Sequence, residues 1–572
     1  MTQQDTDASL ARARIDGGFS FALAAFAAGL GLIAVLERVG LPDQALRLCV
    51  TAFILTGFVI IAALLRSMRP VDFYAGGRAL PAPYVGLAYA GLSAGLFLPF
   101  LPPLPQGLGL NSLATGFGAG LFCAIFATGP YLRRSAAFSI ADLAGSRFPH
   151  PLARCAIAGI AAICAGLVAM GGYEIALRAF LAATGTSRAF GAAVLGVLLV
   201  LVIVPGGLSG VIWLAAGAAI VSLAALGLPP ALSMLHEATL WTAGAARFDA
   251  MTGSNPNLPI EPAVVVALAL GLAAFAPLLG PAVASRDRQS AVRAGPFAFL
   301  LIAIIAVLAA MTMAHSTLAL DATLAGREPG KLPAEILAAS EQGGISICGV
   351  RSGASSVIAG SCVAEDGFDA TLRLQDIGAN AEYLLENLPS LRKAGPTLAG
   401  LAAVFAIALG ISVAAAGVQS FATSLGHDVF HPKRRRLGLA SRRLAYARAL
   451  AILLIAFCGA HLASGKADPR LFITLALTIS ATLLAPPLAL TLVRRATSFD
   501  ALVALLVAAL VIGRFILTHT KGWAPDELAA NAIFAALDAF LAGVFTSLLH
   551  EGDLPSRRPA LPAPKDEPPG PD

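Results

Sequence analysis

The ionisable residues that fall inside long apolar stretches of the chain are few, and each is costly enough in a low-dielectric surrounding to demand a partner or a purpose. Glu174 has Arg178 four residues on, a spacing that lets the two neutralise each other on one helix face. A structural ion pair therefore competes there with a ligand role. Asp538 in "NAIFAALDAFLAG" and Arg514 in the preceding apolar stretch read as a second, peripheral pair. His427 and Asp428 close another stretch as a solvated cap or a gate contact, and Ser420, Thr423 and Ser424 before them can hydrogen-bond along their own helix. No Ser/His/Asp triad, CxxC or Cys/His metal spacing appears. The expectation is a non-enzyme without a cofactor. A different chemistry comes from residues that interrupt helices: Gly91 and Gly95 followed by Pro99, Pro102, Pro103 and Pro105, and then Gly271, Pro277, Gly280 and Pro281. Inside a bilayer such breakers free backbone oxygens and amides, which become ligands for a small ion or solute where protein or water surrounds them.

The elements that would position these groups are membrane helices. The 572 residues are 57% hydrophobic and 13% charged, with a mean hydropathy of +0.80, against roughly 25% charged residues in a soluble domain. Stretches long enough for a roughly 30 Å hydrocarbon core recur along the chain. Fourteen are counted, at about 19–36, 45–65, 83–106, 110–132, 152–177, 189–205, 208–228, 261–284, 295–314, 396–421, 443–463, 469–493, 498–518 and 528–549. The start "MTQQDTDASLARARIDGG" lacks the compact basic region and small-residue cleavage site of a signal peptide, so the first span is kept as a mature helix. Arg66, Arg69, Arg78, Arg133, Arg134, Arg147, Arg154, Arg286, Arg288, Arg293 and the cluster "HPKRRRLGLASRRLAYAR" fall in every second loop. The positive-inside rule then places both termini in the cytoplasm, and the expected location is the bacterial inner membrane. The same asymmetry accounts for the net charge of +6 without a nucleic-acid partner.

The organisation expected is two N-terminal helices with an entry loop (1–82), a ten-helix core (83–493), two C-terminal helices (494–550) and a Pro-rich disordered tail (551–572). A long outer loop at about 315–395 carries two amphipathic stretches, "PAEILAAS" and "DIGANAEYLLENLPSLRK", suited to lie on the protein or membrane surface. Five of the seven cysteines sit in or beside apolar spans and behave as small hydrophobes. Cys348 and Cys362 share the outer loop, where a disulfide can persist; spacing alone leaves the bridge open. The two breaker-rich spans are the first and sixth of the ten core helices, so they occupy corresponding places in two sets of five. Inverted-repeat secondary transporters are built in this way, with the substrate at the midplane between discontinuous helices. Packing is the competing explanation for any single kinked span.

"VDFYAGGRALP" (71–81) with "GLAYAGLSAG" (86–95), "VAAAGVQSFATSLGHDVF" (413–430) and "ASRDRQSAVRAG" (284–295) resemble the sodium:solute symporter family, in particular its acetate permease branch. The resemblance spans the central ten helices. It implies an all-α membrane protein of about fourteen helices with a five-plus-five inverted-repeat, LeuT-like core whose first and sixth core helices are discontinuous, the first at "GLAYAGLSAG". It further implies Na+-coupled uptake of a small organic anion, such as the monocarboxylate acetate, by alternating access. The family's cation site, carried over by motif, falls on Ala90, Ser93, Leu409 and Ser412, and the helix breaks involve Gly91, Gly95, Gly271, Pro277 and Gly280. Na+ is a hard cation that wants oxygens, which suits an opened helix beside hydroxyls. Departures stand beside the match: Leu92 replaces an acid, Val413 a hydroxyl, and "APLLGPAVA" keeps only Pro277 of the sixth helix's motif. Coupling to a proton, or a non-transporting relative serving as a sensor or regulatory membrane subunit, are the alternatives. Partners are thus a small solute, Na+, the lipid bilayer and possible association with a small membrane subunit.

Overall fold

The computed structural model describes residues 3–66, 69–101, 112–236, 261–341, 344–364, 371–373, 376–391, 395–429, 439–465, 467–518 and 525–549. Pro102, Pro103, Pro105, His519, Trp523, the outer stretch 237–260 and the tail 551–572 lie outside the described residues. Backbone polar groups in lipid must be satisfied within their own segment, and the Ala-, Leu- and Val-rich spans satisfy them as helices. Twelve described helices are long and apolar enough to cross a membrane, with a thirteenth crossing if the bent pair Pro262–Ala273 and Ala276–Ala284 is one span. The chain is a multi-pass, helical membrane protein.

One helix, Arg188–Leu232, has 45 residues, about 68 Å of helix and more than twice the ~30 Å hydrocarbon thickness. It turns at Gly207, where φ is 54° and ψ is −143°. A Cβ on Gly210 would lie 2.9 Å from the carbonyl oxygen of Val202, although eight residues of straight helix cover about 12 Å. The segment therefore folds back on itself. Only glycine fits the turn, because a Cβ on Gly207 would also sit 2.7 Å from the Phe73 Cα.

The centre of the bundle is the helix Pro396–Thr423, continued by the wider turns of Ser424–Val429. Of the most apolar window of this span, 94% is buried. It meets the helix Pro151–Thr184 at backbone contact through three glycines. Built Cβ atoms would fall 2.4 Å from the Ala414 nitrogen at Gly172, 2.5 Å from the Ala176 nitrogen at Gly410 and 2.6 Å from the Ala169 nitrogen at Gly417. Small residues are what let membrane helices approach this closely, since lipid supplies no hydrophobic drive between them.

The region 315–395 adds a two-stranded sheet to the expected all-α architecture among the described residues. Strands Ile345–Ile347 and Ile377–Ala379 pair antiparallel, with Ser346 opposite Gly378. The short helices Ala334–Glu341, Ser355–Val363 and Ala381–Leu391 precede, separate and follow the strands along the chain. Cys348 and Cys362 are disulfide-bonded, with Cα atoms 5.1 Å apart. The amphipathic helix Ala381–Leu391 buries Leu384, Leu385 and Leu388, and the Ser316 hydroxyl donates to the Leu384 carbonyl at 2.5 Å.

Candidate functional site

Two breaker-rich elements were expected, and they differ. Ala82–Phe97 is one continuous α-helix that runs into a 3-10 turn at Leu98–Phe100. The expected discontinuity at "GLAYAGLSAG" is therefore corrected: the chain leaves helical geometry only at Leu101. The physical reason is packing. A Cβ on Gly91 would lie 2.0 Å from the Ala215 carbonyl oxygen, and one on Gly95 would lie 2.6 Å from Val413 Cγ2 and 2.9 Å from the Leu409 oxygen. These glycines admit neighbouring helices; they do not open their own.

The sixth core segment is discontinuous, bent by 46° between Pro262–Ala273 and Ala276–Ala284. Phe275 is extended, with φ −86° and ψ 98°. Its amide bonds to Leu272, which leaves the Gly271 carbonyl to accept from the Ser480 hydroxyl at 2.7 Å. Pro277, which has no N–H, sits in the first turn of the second half, where none is required. Gly271 itself packs against the next span, since its Cβ would be 2.7 Å from the Leu477 oxygen.

The two segments are tied at one end of the bundle, here called the basic end. "FYAGGRALP" builds this joint. After the helix Pro70–Ala75 come three successive residues at positive φ: Gly76 at 57°, Gly77 at 67° and Arg78 at 53°. The turn frees Leu80 to donate to the Ala284 carbonyl and to accept from the Arg286 amide, both at 3.2 Å. Arg133 clasps the same joint, with Nε 2.7 Å from the Ser285 oxygen. The double glycine of the motif is thus required by the turn.

Beside this joint lies a cavity of about 390 Å³, including its open mouth, lined by Tyr74, Ser139, Gly280, Gln419, Ser420 and Ser424 among others. Gln419 Nε2 donates to the Phe73 carbonyl at 2.8 Å, while its Oε1 is buried with no hydrogen-bond partner. The Ser424 hydroxyl is likewise buried and unpartnered. Thr423 donates to the Gln419 carbonyl at 2.9 Å, which is the expected bond along its own helix. Burial pushes the Tyr74 phenol up, and it stays an O–H that donates to the Arg443 carbonyl at 3.2 Å.

Asp428 and His427 lie behind this cavity. They are not a solvated cap: they are 1% and 6% exposed. One Asp428 oxygen accepts from the Ser139 hydroxyl, and the other is 3.0 Å from His427 Nδ1. Ser139 caps the short helix Ile140–Arg147 by accepting from the Asp142 amide. Asp142 is paired with Arg154 at 3.3 Å. The reversal from solvated to buried comes from that short helix lying over the end of Pro396–Val429, a contact between residues nearly three hundred positions apart.

The residues carried over as a cation site sit on adjoining helices. Ala90, Ser93, Leu409 and Ser412 are all buried. The Ser412 hydroxyl donates to the Leu409 carbonyl at 2.8 Å, and that carbonyl lies against Gly95. Ser93 has no hydrogen-bond partner. At about 100° per residue it projects roughly 160° away from Gly95 and onto the side of Gly86, whose neighbours are Phe297 and Ala294.

Glu174 is wholly buried at the other end of the bundle and is held from both sides, by Arg178 at 2.9 Å and by Arg188. Both arginines also bond carbonyls of the turn before Pro469, at Ala467 and at Leu462 and Gly465. It is a staple of three segments. Arg514 and Asp538 are exposed, and no ion pair joins them among the described residues, which corrects the expected peripheral pair. Arg514 is four residues from the end of its helix and Asp538 thirteen residues into the next, about 6 Å and 20 Å deep at 1.5 Å per residue.

Sequence reasoning did not find Ser139, Gln419 or Arg188. Gln419 lay in plain view inside "VAAAGVQSFATSLGHDVF", where a single amide among hydroxyls carried no distinguishing spacing.

No family model matches the chain, and no curated protein sequence does. Among solved structures, the chain is similar to a substrate-bound, outward-open Na+-coupled sialic acid symporter, with a TM-score of 0.62 and 14% identity over 88% of this chain and 98% of that one. An Eremococcus coleocola manganese transporter covers 86% of this chain and 98% of its own at 14% identity, but its TM-score of 0.42 is too low to carry an argument. The chain has the fold of the symporter.

Proposed function

We propose that the chain is a secondary active transporter of the bacterial inner membrane that imports a small organic anion, such as the monocarboxylate acetate, together with Na+. The observation that carries this reading is fold likeness along nearly the whole of a Na+-coupled symporter. The bent sixth core segment, tied to the first beside a polar cavity, supports it. If the fold-back at Gly207 separates two spans and the bent pair forms one, the crossings number fourteen. The ten central ones then form two inverted sets of five, with the basic end and both termini in the cytoplasm. Na+ would be held by the backbone oxygens of Ala90 and Ser93 with Leu409 and Ser412. In that site the Ser412 hydroxyl turns from the Leu409 carbonyl to the ion.

A second reading is favoured by two specific observations. Val413 fills the space against Gly95 where a hydroxyl would serve, and Leu92 is buried where an acid would sit. A relative that no longer transports, serving as a sensor or regulatory subunit, would tolerate both. Uptake of labelled acetate, pyruvate and proline into proteoliposomes under imposed Na+ and H+ gradients separates the readings. Accumulation of any of them upholds transport, and the choice of gradient names the ion. The transport reading fails if none accumulates under either.

A further inference from the structure

We propose that the basic-end cavity binds a monovalent cation, Na+, held by Gln419 Oε1 and the hydroxyls of Ser424 and Ser139, with the Asp428 carboxylate supplying the charge behind Ser139. This rests on the transport reading, as a second cation position on the same central helix. It is distinct from the Ser412 position, lying about 10 Å from it at Gln419 and about 18 Å at Ser424 by helix rise.

Three observations carry it. The first is a pair of oxygens with nothing to accept from. Gln419 is 2% exposed and Ser424 is 1% exposed, and the Gln419 Oε1 and Ser424 Oγ atoms have no hydrogen-bond partner. The amide orientation is not arbitrary, because the Phe73 carbonyl can only accept and so fixes Nε2 on that side. Oε1 is then an acceptor facing a cavity. Buried oxygens of this kind are costly unless a donor or a cation meets them.

The second is charge. Asp142, whose carboxylate lies within 4.8 Å of the Asp428 and His427 donor atoms, is balanced by Arg154, whereas among the described residues the ionisable side chain bonded to Asp428 is His427. With Asp142 neutralised by Arg154, one carboxylate charge is left to the site, which suits a monovalent ion better than a divalent one that recruits several carboxylates. The third is geometry. The central helix widens into a π-helix over Ser424–Val429, a form found often at functional positions because it displaces side chains from the regular register. Ser139 links the two halves: it lines the cavity and also donates to Asp428.

The test is thermal unfolding of the purified full-length protein at pH 8, titrated with NaCl against equal concentrations of KCl and choline chloride. Wild type should show a saturable rise in unfolding temperature specific to Na+. Ser424→Ala should keep the choline baseline, because the hydroxyl makes no bond to lose, and should raise the half-saturating Na+ concentration about tenfold. Ser139→Ala should do the same; if it disturbs the cap of its helix, Ser424→Ala carries the result alone. Ser412→Ala should leave a Na+ response that still depends on Ser424. The proposal is overturned if Na+ gives no more than K+ and choline, in which case water alone fills the cavity. It is overturned equally if the response is unchanged in Ser424→Ala or disappears wholly with Ser412→Ala. A Ser424-dependent response in a protein that accumulates no solute would keep the site and remove the transport reading.

Discussion

Gly410→Ala isolates the feature on which the central helix depends. The new methyl would sit 2.5 Å from the Ala176 nitrogen, about 0.9 Å inside an ordinary contact, and backbone is the obstacle, so no side chain can swing aside. The two helices must separate by nearly that distance. A gap of 0.5–1 Å forfeits roughly a quarter to a half of each dispersion well of about 0.1–0.2 kcal/mol. The loss along the crossing falls within the usual cost of about 1–3 kcal/mol for overpacking. Gly159→Ala, on the facing helix, is the control: nothing lies within 4 Å of its Cβ position, and the gain in helix propensity is up to about 1 kcal/mol. Thermal unfolding in detergent should therefore move in opposite directions for the two variants. Solute uptake should fall only in Gly410→Ala, because Ser412 is carried away from its neighbours. Equal stabilities would refute close backbone approach as the reason for the glycine.

Reduction of the disulfide, or Cys348→Ser with Cys362→Ser, should loosen the region around it. A loop with 14 residues of separation corresponds to about 3 kcal/mol on the chain-entropy estimate, read as faster limited proteolysis between 344 and 391. Glu386 is held well above the ordinary carboxylate range by burial, and Glu382 one turn away reinforces the shift. A raised folded value means its contribution is full below about pH 4.3 and fades as pH rises. Glu386→Gln should flatten that decline in a stability titration, and an unchanged slope would remove Glu386 as its cause. Glu174→Gln should cost about 1–3 kcal/mol, discounted from a fully buried pair because Arg178 and Arg188 keep 42% and 20% of their side-chain surface. The KM for solute should not change. A large shift in KM would show that Glu174 meets the substrate.

The medium dictates much of this molecule, and the medium is legible in composition. Apolar runs of bilayer length must be helical because lipid satisfies no backbone group, and short basic loops mark one end. "APLLGPAVA" announced a real break, because Pro277 removes an N–H whatever lies around it. "FYAGGRALP" forms a turn whose two adjacent glycines serve positive φ. These are local consequences of covalent structure. Gly91 and Gly95 were ambiguous for the opposite reason: a helix glycine either weakens its own helix or admits another, and only the positions of Ala215, Leu409 and Val413 decide which. Likewise Asp428 at a helix end reads as solvated until the short helix from Ser139 covers it, and Glu174 acquires Arg188 only when the next segment returns beside it. Close approach and burial are properties of pairs of segments far apart in the chain. No local pattern encodes them, so the helical spans were legible in the sequence, whereas the use of each breaker and each buried charge was decided by the tertiary packing.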